Sequence, residues 1–474
     1  MNLTLLFKNL FAAFVSQGVA LICSVITTLA VPKVMGVHEF GYWQYFIFLT
    51  SYVSLFQFGV NDGIYLSNGG STREEIDKAV IKSELFLTIT IQSLIAFVIV
   101  ACSLCFASGS DKLEIILASA VFMVVSNATF LLGYVFQAMN ETRLFSHSIV
   151  VDRLVYLVPL CLCIFFYITS YYIYIIFYIV ARCSALAYCM VHAKDFLSAG
   201  FVGLRKAFSI MIRDMKLGLV LSFANICSMM ILGIARFLIE ARWGIEVFGE
   251  ISLSLSLINF ILLFITQLSM VLFPALRQAD ETALPQLFSK IRDGALILLP
   301  TCFLLYFPVR LFILFWLPQY TTSLKYFVFM MPIVLFEAMA DMVYVTFLKV
   351  RCEPKKLLLI NSLSLLCSVI CCSFSCFILN NVYLVIVSAV VGLAIRAYLG
   401  DFFLSRDYQS SNFRIIASSI VYVACFTVIN FVLSPLLACL VSIVVLFVYL
   451  ISNRSTFLPL WLRIKVIVRL KRVS

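Results

Sequence analysis

Four ionisable side chains lie deep inside long apolar runs of this 474-residue chain, and each suits a definite kind of chemistry. Arg182 falls near the middle of one run and Arg236 towards the end of another. A guanidinium is permanently charged and presents a planar fork of donors, so both arginines are suited to receive an anion. Glu337 and Asp341 stand four residues apart, one helical turn, and so share a face. Two carboxylates on one apolar face disfavour joint ionisation, so the pair could hold a proton and exchange it, or exchange Na+. A charge at the bilayer centre costs about 2.5–3.5 kcal/mol on insertion scales, and such groups therefore tend to mark pathways. Plainer fates compete. Arg236 could snorkel to the nearby interface. Arg182 could pair with an acid on a neighbouring helix, and the Glu337/Asp341 pair could bind an arginine, Arg182 for example, for assembly alone.

Uncharged polar residues extend the set. Asn61 and Asp62 sit between Gly59 and Gly63, a pattern that reads as an unwound helical segment beside a cavity or as a span that simply ends. Asn225 shares a run with Arg236. Asn127, Asn259 and Gln267 are embedded in apolar sequence, where interhelical hydrogen bonding is the usual fate. Tyr167, Tyr171, Tyr172 and Tyr174 cluster at one turn, as an interfacial aromatic belt would. His38, His147 and His192 fall at the ends of runs, and no catalytic constellation assembles around them. Fifteen of the 16 cysteines lie within the runs, Cys352 being the exception. Free cysteine there behaves as a small hydrophobe, and neither a metal site nor disulfides are expected.

Helices crossing a membrane must position these groups. The chain is 63% hydrophobic and 12% charged with mean hydropathy +1.09, a surface no soluble fold of this size tolerates. Its apolar runs are roughly 20 residues long, enough to cross about 30 Å of hydrocarbon at 1.5 Å per residue. Strands of alternating polarity, the mark of a barrel, are absent. Fourteen spans are predicted, at about 9–32, 43–67, 80–107, 113–138, 150–168, 171–192, 216–240, 248–274, 293–316, 325–348, 357–379, 382–402, 414–434 and 436–453. With the N-terminus in the cytoplasm, 27 of the 34 Lys and Arg fall on the cytoplasmic side, at most 6 fall opposite, and Arg182 is left within a span. That asymmetry sets orientation by the positive-inside rule, so the net charge of +11 is a topology signal and not a nucleic-acid footprint. The first run is longer than a signal-peptide core and lacks a cleavage pattern, so it is expected to stay as a span.

The pattern Gly-x-x-x-Phe-Gly occurs twice, at 36–41 and 244–249, each time at a hairpin between apolar runs. Duplication of this kind predicts an all-α membrane protein of two six-helix lobes, 1–192 and 216–402, related by a pseudo-twofold along the membrane normal. A cytoplasmic linker at 193–215 joins them. Spans thirteen and fourteen (403–453) are an appendage, and 454–474 is a basic cytoplasmic tail held on anionic lipid. No break is long enough for a soluble domain or holds a P-loop, so the chain cannot hydrolyse ATP to drive transport.

The segment 31–43 (VPKVMGVHEFGYW) followed by 56–65 (FQFGVNDGIY) resembles the opening of the polysaccharide exporters of the multidrug/oligosaccharidyl-lipid/polysaccharide (MOP) superfamily. Residues 235–249 repeat the theme, and 272–276 (LFPAL) close span eight. The resemblance implies a non-enzymatic flippase moving undecaprenyl-pyrophosphate-linked oligosaccharide, the O-antigen repeat unit, across the bacterial inner membrane by alternating access. It also implies work alongside an O-antigen polymerase and its chain-length machinery, and a polyprenyl tail kept in lipid beside spans thirteen and fourteen. In that setting Arg182 and Arg236 are expected to face a central cavity and receive the pyrophosphate. Asn61, Asp62, Asn225 and Asn259 would meet sugar hydroxyls, and Glu337 and Asp341 would couple flipping to a proton or Na+ gradient. Peptidoglycan-precursor flippases carry more cationic residues in the first span, where this chain has only Gln17 between Lys8 and Lys33. Drug exporters of the superfamily have twelve spans. The competing functions are a small-molecule cation or multidrug exporter and an integral-membrane glycosyltransferase or polymerase.

Overall fold

A computed structural model describes residues 3–106, 109–410 and 412–456. Among these residues every regular element is helical, and twelve helices are long and apolar enough to cross a bilayer. Two features account for the difference from fourteen. The Leu204–Gln267 segment runs for 64 residues, about twice a bilayer's thickness, and is broken at Gly244 (φ 84°, ψ −177°), so it contains two crossings. The second predicted span is an interrupted helix, too short in either half to be counted. The predicted basic tail beyond residue 456 lies outside the described residues.

The chain divides into two compact units, Met1–Ile226 with Ile245–Gly249, and Cys227–Gly244 with Glu250–Ser474. In the first unit the interrupted helix sets the architecture. Val37–Ser51 is α-helical, Val53–Gln57 tightens to a 3-10 turn, and the chain restarts at Val60–Asn68. Phe58 (φ 50°) and Gly59 (φ 84°) turn it between the last two pieces. Backbone groups freed inside a bilayer must find partners. Asn127 Nδ2 donates to the Val53 carbonyl at 3.1 Å and Gln92 Nε2 to that of Phe56 at 2.6 Å. The same amides continue into a buried ladder. Gln57 Nε2 donates to Asn127 Oδ1 at 2.7 Å, Asn127 Nδ2 to Gln92 Oε1 at 2.8 Å, and Asn61 Nδ2 to Gln57 Oε1 at 2.5 Å. The polar residues of spans two, three and four are thus consumed largely by one another and by the break.

The restarted helix packs backbone to backbone on the start of the 204–277 helix. A methyl group on Gly63 would lie 1.9 Å from the Asp214 carbonyl oxygen, and one on Gly59 would lie 2.8 Å from Gly218. The repeated pattern is a second such contact. A methyl on Gly41 would fall 2.5 Å from the Ile245 carbonyl oxygen and one on Gly249 2.9 Å from the Gly41 Cα. Phe248 is wholly buried edge-on against Tyr45 and Phe48. The two copies of the pattern therefore touch each other. Polar loops close one end of this unit. Arg73 bridges Glu141 (2.7 Å) and Asp195 (2.8 Å) and donates to the His192 carbonyl, and Lys78 reaches Asp195 at 2.9 Å. The Arg73 guanidinium, seconded by Lys78, holds the Asp195 carboxyl well below the usual carboxylate range.

In the second unit the Ser323–Val350 helix widens to a π-turn at Met339–Val345, and its neighbours Pro354–Phe377 and Val382–Asp407 pack closely against each other. Pro300 carries no N–H, so the Leu296 carbonyl loses its helical donor. The Tyr449 hydroxyl replaces it at 2.8 Å, and Tyr422 donates to the Pro300 carbonyl at 3.2 Å. These two tyrosines fasten the helices Phe413–Val432 and Pro435–Ser452, whose opposite faces expose Val421, Val428, Leu440 and Phe447 as lipid-facing helices do.

Candidate functional site

A cavity of about 500 Å³ opens within the first unit, bounded by the interrupted second span and by the Ser110–Ala138, Thr142–Phe165 and Tyr171–His192 helices. The 3-10 turn supplies Ser54 and Gln57 to its wall, and Thr50 and Ser51 precede them. Ser126, Tyr134 and Gln137 face it from one further helix, and the aliphatic Ile47 and Val53, the rings of Phe122, Phe130, Phe145 and Tyr178, and Arg182 complete the lining. Hydroxyls, amides and aromatic faces around a single guanidinium suit a hydrogen-bonding, anionic guest.

Arg182 is the charge on this wall. Its Nη2 lies 3.3 Å from Asp152 Oδ2 on the adjacent helix, and its guanidinium stands over both Phe122 and Phe130 at 5.4 Å. Its Nε is buried without an acceptor. Arg182 thus lines a cavity of the first unit and also pairs with a neighbouring helix. Asp152 also sees Arg153 Nε at 3.9 Å, so one carboxylate faces two guanidiniums and the cluster keeps an excess positive charge. Arg153 in turn interacts with the cavity-lining Tyr178.

The other candidates are dispersed. Asn61 belongs to the amide ladder, and Asp62 accepts a hydrogen bond from Ser222 in the glycine-packed contact. Asn225 is exposed on the first unit. Arg236 and Asn259 belong to the second unit, where Arg236 donates to Ser252 Oγ at 2.9 Å and Asn259 is exposed. Glu337 and Asp341 do share a face, and their partner is Arg396. Its Nη1 reaches Glu337 Oε1 at 2.9 Å, its Nη2 reaches Asp341 Oδ1 at 3.1 Å, and its Nε donates to Asn361 Oδ1 at 3.1 Å. Of the tyrosine cluster, Tyr171 and Tyr172 both donate to Asp111 Oδ1 at 2.9 Å, and Tyr174 donates to the Ile168 carbonyl at 2.9 Å.

No protein-family model matches the chain, and no curated protein does. Solved structures do match. The lipid II flippase MurJ in an inward closed conformation aligns with a TM-score of 0.64 at 12% identity, over 95% of this chain and 99% of that one. An inward-facing multidrug resistance MATE family transporter aligns with a TM-score of 0.63 at 10% identity, over 82% and 95%. A MOP superfamily transporter from Pyrococcus furiosus gives 0.54 at 12%, over 86% and 96%. The chain shares the fold of these structures.

Within that fold, sequence reasoning missed Asp152, Arg396, Glu84 and Asp214. The positive-inside count placed Arg396 with the break after span twelve, although it falls inside the apolar 382–402 run. The structure buries it to 4% exposure. Asp152 escaped notice because it sits at a predicted span edge beside Arg153. A search for every charged residue inside a predicted span or within four residues of its ends would have found all four.

Proposed function

We propose that this protein flips an undecaprenyl-pyrophosphate-linked oligosaccharide, an O-antigen repeat unit, from the cytoplasmic to the periplasmic leaflet of the bacterial inner membrane by alternating access. Both termini then lie in the cytoplasm, and the O-antigen polymerase and chain-length machinery receive the product. The observation that carries this reading is the cavity around Arg182, with its excess positive charge and its wall of hydroxyls, amides and aromatic rings. Its volume lies within the ~300–1,000 Å³ typical of small-molecule sites, enough for the pyrophosphate and the sugars next to it. A guanidinium already tethered on one edge by Asp152 keeps donors on the other, as an anion that must be both received and released requires. Arg236, Asn225 and Asn259 are kept as further substrate contacts outside this cavity, and the polyprenyl tail runs in lipid beside the last two helices.

Ion coupling at Glu337 and Asp341 requires that a proton or Na+ displace Arg396 from its fork. Flipping by vesicles bearing Glu337→Gln plus Asp341→Asn should then cease to follow an imposed ion gradient. A multidrug or cation exporter is the alternative reading, and it calls for an unneutralised acid on the cavity wall. The deciding assay is flipping of a fluorescent lipid-linked oligosaccharide in proteoliposomes. Arg182→Ala should abolish flipping and Arg182→Lys should retain part of it. Unchanged flipping with Arg182→Ala at normal membrane levels, or efflux of organic cations by the wild type, would overturn the proposal.

A further inference from the structure

We propose that Glu84 and Asp214 form a proton-binding site, a pair of carboxyl groups sharing one proton between the Lys78–Phe106 helix and the start of the Leu204–Arg277 helix. Glu84 is wholly buried, Asp214 is 1% exposed, and their carboxyl groups lie against each other. Neither oxygen of Glu84 has a hydrogen-bond donor. The surroundings are apolar, with Val60, Ile64, Ile81, Leu85 and Met211 in one packed cluster. One turn further along the same face, the Thr88 hydroxyl is also buried and unpartnered, a second polar group turned into this region without a protein acceptor or donor.

Few charges face the pair. Arg213, on Asp214's own helix, donates from Nε to Asp214 Oδ1 at 3.2 Å with a side chain that is 63% exposed, so it offsets part of the pair's charge. From the Val60–Asn68 helix comes another acid, Asp62, held by Ser222, with Tyr65 and Tyr134 beyond it. One exposed guanidinium can offset one carboxylate. A second carboxylate in apolar surroundings, with no donor and an acid for a neighbour, is an arrangement that a proton resolves. The step balances simply. A proton from water binds a carboxylate oxygen and forms an O–H···O bond to the other carboxyl, and its release leaves two like charges in contact.

The location gives the proton something to move. Gly63 rests on the Asp214 backbone so closely that a methyl group has no room, so a shift of Asp214 passes to the Val60–Asn68 helix. That helix follows directly from the 3-10 turn that carries Gln57 to the cavity wall. Coupling of proton binding to the cavity rests on the transport reading, whereas proton binding itself does not.

Infrared difference spectroscopy of the full-length protein in liposomes, titrated across pH, reads the protonated-carboxyl C=O stretch directly. The wild type should show a titrating band that is lost in both Glu84→Gln and Asp214→Asn and kept in Glu84→Asp. Arg213→Gln, a change at an exposed residue, should carry the band's midpoint to higher pH, because the cation favouring the charged form is gone. A band that survives both acid substitutions, or an unmoved midpoint in Arg213→Gln, overturns the site. The second result decides even if the buried substitutions prevent folding. A wild type that shows the band but flips no lipid-linked saccharide would sink the functional reading and leave the proton site standing.

Discussion

Arg396 offers the sharpest test of how the second unit holds its intramembrane charge. Its guanidinium is 4% exposed and is shared by Glu337, 21% exposed, and Asp341, 40% exposed. The two arms should therefore differ in worth. An arm open to solvent contributes on the order of 0–1 kcal/mol. Removing one partner of a buried pair costs about 3–5 kcal/mol, because the charge left behind is uncompensated. With all three groups ionised the cluster carries one net negative charge, so deleting either acid brings it to neutrality and deleting the arginine doubles the imbalance. Asp341→Asn should leave thermal stability within the error of measurement. Arg396→Met should lower it by about 3–5 kcal/mol, a factor of about 100 to 5,000 in the folding equilibrium. Adding Glu337→Gln to Arg396→Met should recover most of the loss, since a neutral replacement of a buried pair is often tolerated. The assay is fluorescence-detected thermal unfolding of the purified protein at fixed detergent and protein concentration, completed as a double-mutant cycle. If Arg396→Met melts like the wild type, or Glu337→Gln fails to rescue it, the triad is not the structural unit described here.

Three further outcomes follow from the same reasoning. Gly63→Val and Gly41→Val should each abolish accumulation of folded protein in the membrane, since the added carbons meet backbone atoms at 1.9 and 2.5 Å; size-exclusion profiles check this, with Gly200→Val, at a position with open space around it, as the control. Tyr449→Phe leaves the Leu296 carbonyl without its donor beside Pro300, and should cost about 1–3 kcal/mol in the same melting assay. The Arg73–Asp195 staple has an acid whose folded value is depressed, so its contribution is complete above the unfolded carboxylate value of about 3.9 and fades as pH falls further. Protease cleavage of the 193–203 loop should thus be unchanged between neutral pH and pH ~5, whereas Asp195→Asn should raise it already at neutral pH.

The membrane class and the helical architecture were legible because they rest on run length and composition, which every residue in a span reports. What escaped were contacts that depend on register between distant helices. The apolar pattern around the second span says that Gly59 and Gly63 interrupt something. It cannot say that the break comes just before Asn61 and not around it, because the carbonyls of Val53 and Phe56 are rescued by Asn127 and Gln92 from two other spans. The Glu337/Asp341 face was readable from a spacing of four. Its partner was not, since Arg396 counts as a topology charge until a helix crossing brings it within 2.9 Å. Nor could a repeated Gly-x-x-x-Phe-Gly reveal that its two copies meet, since sequence similarity carries no distance.

The polar groups inside the spans sort by what satisfies them, and that ordering bears on where a substrate can act. Asn61, Gln57, Asn127 and Gln92 are committed to each other and to a broken helix, so the amides most suggestive of sugar binding have little left to offer beyond Asn61 Oδ1, which is buried without a partner. Glu337, Asp341 and Arg396 carry one net negative charge, with Asp341 open at 40% exposure. Two further sites are out of balance, both in the first unit. One is the Arg182–Asp152–Arg153 cluster with a cation in excess at a cavity, and the other is Glu84 against Asp214 with an acid in excess away from it. Desolvated charge that the protein does not neutralise is costly unless something else does so for part of the time. An anionic guest at the first site and a proton at the second are complementary answers. Between them lies one short helix, Val60–Asn68, locked by glycine contacts to the acid pair and by chain continuity to the cavity wall. A carrier that takes up an anion at one end of that helix and a proton at the other has the parts for exchanging one against the other.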